Sequence, residues 1–97
     1  MALPKFLQPC FPSWDVKNLD KTKDKKLIIT QILNYGTEKD LRWLTKVYFE
    51  KDLKQVISKP SRGVWLKEVL LYWQKILDLK IKKSDFQKAI LDVNPHF

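Results

Sequence analysis

Cysteine occurs once in these 97 residues, at Cys10, which excludes an internal disulfide framework and any multi-cysteine zinc site. That usage points to a cytoplasmic protein. Glycine occurs twice, at Gly36 and Gly63, too sparsely for a loop that cradles phosphates. The single histidine, His96, is the penultimate residue, and no HExxH or EF-hand spacing occurs, so no metal site or cofactor is expected. Cys10 lies between Pro9 and Phe11 with no base nearby in sequence, which reads as a buried, inert thiol. With no constellation for acid–base, nucleophilic or metal work, neither catalysis nor a small-molecule ligand is expected. No stretch approaches the roughly 18 apolar residues of a membrane span. The opening "MALPKFLQPCFPSW" is broken by three prolines, so no secretory leader is expected.

What the chain does have is apolar mass and positive charge. Hydrophobic residues make up 44% and include twelve aromatics, enough for one folded domain with a modest core. The formal charge of +8 comes from seventeen Lys and only two Arg, Arg42 and Arg62, interleaved with eleven carboxylates. Such a balance favours acidic partners, among them nucleic acid, although lysine at this density also solvates ordinary helix surfaces.

Residues 1–19 read as an extended, proline-punctuated arm carrying Phe6, Leu7, Phe11 and Trp14, which should lie on the helical domain formed by residues 20–97. Asp20 can cap a first helix over about 21–35, with Ile28, Ile29, Ile32, Leu33 and Tyr35 on one side. "NYGTEKDLRWL" then sets a helix stop against a helix start. Gly36 suits a left-handed terminator, and Thr37 with Asp40 forms a loose capping box for a second helix over about 38–48. Trp43, to the side of that helix, is expected to bridge to the arm. A third helix over about 51–58 ends before Pro60. Ser61 is expected to cap a fourth over about 62–78. Trp65, Leu66, Val69, Leu70, Tyr72, Trp73, Ile76 and Leu77 cover two-thirds of its circumference, which would make it the central element. Ser84 and Gln87 suggest a capping box for a last helix, 85–93, with Phe86, Ala89, Ile90 and Val93 inward. The expected fold is all-α, a compact bundle of about five helices around the fourth.

Two surface sets stand out. Val64, Lys67, Leu71 and Lys75 recur at three- or four-residue spacing on the fourth helix, the layout of a face offered to a partner. Lys21, Lys23, Lys25, Lys26, Lys59, Arg62, Lys82 and Lys83 form the alternative, a basic face for nucleic acid or phosphate. In that reading "SKPSRG" holds phosphate with Arg62 and the N–H groups of a helix start. Base readout is not expected from the following helix, which is mostly apolar and offers only Arg62 and Lys67 near its first turn.

"LPKFLQPCFPSWDVKNLD", "KLIITQILNYG", "LRWL" and "WLKEVLLYWQKIL" together resemble a small, largely uncharacterised bacterial family. Its features fall here on Leu3–Pro4, Trp14–Asp15, Leu19–Asp20, Leu27 to Gly36, Trp43–Leu44 and Tyr72–Trp73. The chain departs from the pattern at Phe49, where Gly is usual, and at "CFPSW", where an uninterrupted aromatic pair is usual. All of these are packing motifs. Members are often encoded beside a nucleotidyltransferase-like toxin of the AbiEii type. The resemblance therefore implies an antitoxin that binds and neutralises such a toxin, and it does so through gene association. The alternative implied by charge alone is a basic nucleic-acid-binding domain, such as an autorepressor.

Overall fold

Asp20 begins the helical part of the chain by turning its carboxylate onto its own backbone. Its Oδ1 accepts from the amides of Thr22 and Lys23, both at 2.8 Å, while Asp24 Oδ2 accepts the Asp20 amide at 2.8 Å. These bonds close a turn over residues 21–24, so the first α-helix starts at Lys25, later than the expected residue 21, and its N-cap is Asp24, which makes no side-chain cap bond, rather than Asp20. The computed structural model describes residues 3–91. After two 3-10 helices, Lys5–Cys10 and Val16–Asn18, it contains α1 (Lys25–Tyr35), α2 (Glu38–Val47), α3 (Glu50–Ser58), α4 (Lys67–Ile76) and α5 (Lys83–Ala89). Among the described residues the fold is an all-α bundle of about five helices. Pairing of strand type is limited there to one isolated parallel bridge, Trp65 with Ile90.

The centre of the bundle is α1. Seven consecutive residues, Ile28 to Asn34, are buried. The helix packs against α2, α3, α4 and the first 3-10 helix. The fourth helix was expected in this place, but only Leu70 of α4 is buried, with Val69, Trp73 and Leu77 partly so. Its outer side keeps Leu71, Tyr72 and Ile76 in solvent. Hydrophobicity all around a helix signals burial only where the domain has enough neighbours to enclose it, and here α1 and α3 cover one side.

The start of α4 also differs from expectation. Gly63 adopts φ +70°, outside the helical region, and Ser61 caps nothing. The amides of Gly63, Val64 and Trp65 donate to Lys88 O and Ala89 O at 2.9–3.0 Å, and Leu91 donates back to Trp65 O at 2.7 Å. Backbone donors committed to a distant segment cannot enter an i to i−4 ladder, so helix formation waits until Lys67. The same pairing ends α5 at Ala89, short of the expected residue 93, and its cap is Lys82 with no side-chain bond. Val93, like His96, lies outside the described residues.

The N-terminal segment is wound into 3-10 turns rather than extended. Gln8 stitches those turns together: its amide donates to Phe11 O and Trp14 O, and its carbonyl accepts from the Val16 amide. Leu3, Leu7, Cys10, Phe11, Val16 and Leu19 are thereby buried in the core. Full burial of a side chain such as Leu7 or Phe11 contributes about 1.5–3 kcal/mol. At the far end of α1, Thr37 and Asp40 form the expected capping box, with Thr37 N–H to Asp40 Oδ2 at 2.8 Å. Trp43 of α2 meets Tyr48 edge-on, and Lys21 lies over its ring.

The two glycines are required for opposite reasons. Gly36 has φ −75° and ψ 150°, ordinary extended backbone and not a left-handed terminator. A Cβ there would stand 2.5 Å from Ile32 O, one turn back on α1, and 3.1 Å from Asp40 Cβ in the first turn of α2. Gly63 has open space around it but a positive φ. Gly36→Ala is therefore expected to cost about 1–3 kcal/mol through overpacking. Gly63→Ala should cost roughly 1–2 kcal/mol through backbone strain, with Asn at 63 recovering part of the loss. Urea unfolding of the three variants checks the distinction; Gly36→Ala at wild-type stability would contradict the close approach.

Candidate functional site

Two surfaces carry the residues that sequence spacing singles out. The first is the outward side of α4. Positions 67, 71 and 75 are four apart and drift by only about 40° per step, so Lys67, Leu71 and Lys75 share one stripe. Val64 does not join them: it lies before the helix, in the segment paired with α5, beside Pro12, Trp14 and Tyr35. Tyr72 and Ile76 widen the stripe instead. Leu71 is 45% exposed, Tyr72 56% and Ile76 57%. Leu71, Tyr72, Gln74, Lys75, Asp78 and Leu79 line a shallow groove of about 530 Å³ along this side. The groove closes at Asp78, whose φ of 51° turns the chain out of the helix.

The second surface is cationic. Lys26 from α1, Lys59 and Arg62 from the α3–α4 connection, and Lys88 from the last turn of α5 surround a groove of about 410 Å³, with Pro60 and one carboxylate, Asp85. Three of these cations belong to the basic set read from sequence, and Lys88 is an addition. Sequence proximity carried no signal for Lys88; the pairing of residues 63–65 with 88–91 brings it there. The remaining members of the set lie elsewhere. Lys21 rests over Trp43, and Lys23 belongs to the turn preceding α1. Lys82 and Lys83 are exposed at the start of α5 and do not line the groove. The expected phosphate loop at "SKPSRG" lacks a helix N-terminus, because α4 begins at Lys67 and the Gly63 amide is already bonded to Lys88 O.

Lys25 is neutralised. Its Nζ bonds Asp52 Oδ1 at 2.9 Å, across from α1 to α3. That hydrogen bond, with a second from the Phe49 amide, holds the Asp52 carboxyl below its ordinary value of 3.8. The amides of Lys23 and Thr22 lower Asp20 in the same way. Cys10 is driven the other way, up to about 12, first by burial and then by the Asp40 carboxylate 3.4 Å from its sulfur. It is a protonated, structural thiol at neutral pH.

A depressed carboxyl contributes stability that is complete above the unfolded-state value and is lost as pH falls through the folded-state value. The Asp20 and Asp52 contributions should thus be constant from neutrality down to the carboxylate range and disappear below it. Asp52→Asn is expected to lower the melting temperature near neutral pH and to converge with the unmodified protein in stronger acid. Melts taken across that range check this; a difference that persists undiminished in acid would contradict the Lys25 pairing as its source.

Neither a curated protein nor a solved structure matches the chain. One family model matches, "Family of unknown function (DUF6922)", over residues 6–57. The matched stretch runs from the first 3-10 helix through α1 and α2 to the last turn of α3. It includes the central helix and Lys26, whereas α4, Lys59, Arg62 and Lys88 lie beyond it. With more than half of its length matched, the chain belongs to DUF6922, a family of unknown function.

Proposed function

We propose that this protein is an antitoxin-like binding protein that captures a nucleotidyltransferase-type toxin in the cytoplasm through the outward side of α4. The observation that carries the binding reading is the run of Leu71, Tyr72 and Ile76 in solvent within two turns of one helix. Single exposed aliphatics are ordinary, but contiguous ones with a charged border mark interaction surfaces. Tyr72 supplies a large, rigid contact area, and its neighbour Trp73 packs edge-on to it at 5.2 Å, which limits its freedom before binding. Lys67 and Lys75 flank Leu71 and would steer the helix toward an acidic face. Bound there, the domain would neutralise its partner by covering it, with no chemistry of its own.

The identity of the partner rests on the family resemblance in the packing motifs, so the test begins there. Co-expression with the nucleotidyltransferase-type product of a neighbouring gene should give a co-purifying complex and restore growth. Leu71→Asp should leave the melting temperature of the isolated protein nearly unchanged, since exposed substitutions shift stability by about 0.5 kcal/mol. It should weaken the complex by about tenfold or more, as charge enters a desolvated contact. A collapsed melt would show that Leu71 belongs to the core, and an unchanged melt with undiminished binding would remove α4 from the interface. Absence of any complex or growth rescue would remove the toxin reading.

A further inference from the structure

We infer that the groove between α1, the α3–α4 connection and α5 binds the phosphodiester backbone of nucleic acid without regard to base sequence. This inference does not depend on what α4 binds. Among the described residues four cations, Lys26, Lys59, Arg62 and Lys88, line the groove against the single carboxylate of Asp85. All four are exposed. Among the described residues the ion pairs are Lys17–Asp15, Lys25–Asp52 and Arg42–Glu38, so none of the four is paired. Like charges gathered from three separate elements repel one another, and a bound polyanion relieves that repulsion.

The groove is also built to hold its shape. Arg62 immediately precedes Gly63, whose amide donates to the carbonyl of Lys88 at 2.9 Å, and the next amide, of Val64, donates to Ala89 O at 3.0 Å. Two of the four cations therefore sit on backbones bonded directly to each other, and Lys26 projects from the rigid central helix. Cations fixed in this way lose less freedom on binding than cations on free loops.

Phosphate is favoured over an acidic protein surface by what the groove omits. Among the described residues Pro60 is its one apolar lining residue, and protein interfaces draw their affinity from buried aromatic or aliphatic anchors. A phosphodiester chain needs only spaced cations, with Arg62 able to grip phosphate oxygens in pairs. A volume of about 410 Å³ holds more than one phosphate group. Base readout has no structural support, since α4 begins five residues beyond Arg62 and presents no polar helix start to the groove.

Fluorescence anisotropy with labelled single-stranded and duplex 20-mers tests this on the full chain. Micromolar binding is expected in about 50 mM salt, with a log–log salt slope of about −2 to −4 if two to four phosphates are neutralised. Lys59→Glu/Arg62→Glu should weaken binding more than tenfold. Lys5→Glu/Lys17→Glu, with the same change in net charge on the arm, should stay within about twofold. The neutral pair Lys59→Gln/Arg62→Gln, checked by melting to be folded, should flatten the salt slope by about two units. Equal losses from both glutamate pairs would assign the binding to net charge and overturn the groove. So would an unchanged slope in the neutral pair, or no binding at tens of micromolar protein. Displacement of the oligonucleotide by polyglutamate at equal charge concentration would reassign the groove to an acidic protein.

Discussion

Asn34, buried near the C-terminal end of α1, ties the central helix to the start of α4. Its Oδ1 accepts the amide of Leu66 at 2.9 Å while its Nδ2 donates to Thr30 O at 2.8 Å. One turn earlier on the same helix, Gln31 donates to the carbonyl of Cys10 at 2.8 Å. The Cys10 thiol in turn meets Asp40, whose carboxylate also accepts the Thr37 amide that starts α2. A helix buried this deeply would ordinarily carry apolar side chains alone. These buried polar groups instead fix the N-terminal segment, the start of α2 and the start of α4 at set heights along α1. Such a network is worth most when complete, because a single lost partner leaves a buried polar group costing about 1–3 kcal/mol.

That frame explains the surface. Residues 63–65 are paired with the 88–91 segment and the next amide, of Leu66, is held by Asn34, so the stretch stays out of the helix and α4 starts late. A shorter α4 packs Leu70, Trp73 and Leu77 inward and has no neighbour for Leu71, Tyr72 and Ile76. The same segment draws Arg62 toward Lys88 and forms the cationic groove. One packing decision thus produces an apolar face and a basic groove, chemically distinct and placed on different elements. The region shared with the family model, residues 6–57, supplies the frame, and the residues after it supply most of both surfaces.

How legible this was follows from the range of the interactions involved. The Thr37–Asp40 capping box and the near-limits of α2 and α3 are local features, and sequence spacing located them well. The 3-10 winding of the N-terminal segment depends on Gln8 reaching carbonyls three and six residues away, a pattern with no periodic signature. Gly36 was identified as a break for the wrong physical reason: its role is the close approach of Ile32 O and Asp40, four residues to either side, which depends on the backbone angles at the break rather than on residue type. The apolar run at 64–77 has helical period throughout, so nothing local revealed that its first residues would pair with a segment more than twenty positions later. Lys88 was invisible in the basic set for the same cause, and Lys25 was included because its partner Asp52 lies 27 residues away.

The central claim is that α1, pinned by its buried polar side chains, organises the bundle while α4 is a half-covered outer helix. Native-state hydrogen exchange resolved by residue measures this directly. Amides of residues 29–34 should exchange only through global unfolding and set the slowest rates in the chain, whereas amides along the outer side of α4 should exchange through smaller openings. Slower exchange in α4 than in α1, or α1 amides opening below the global limit, would contradict the account.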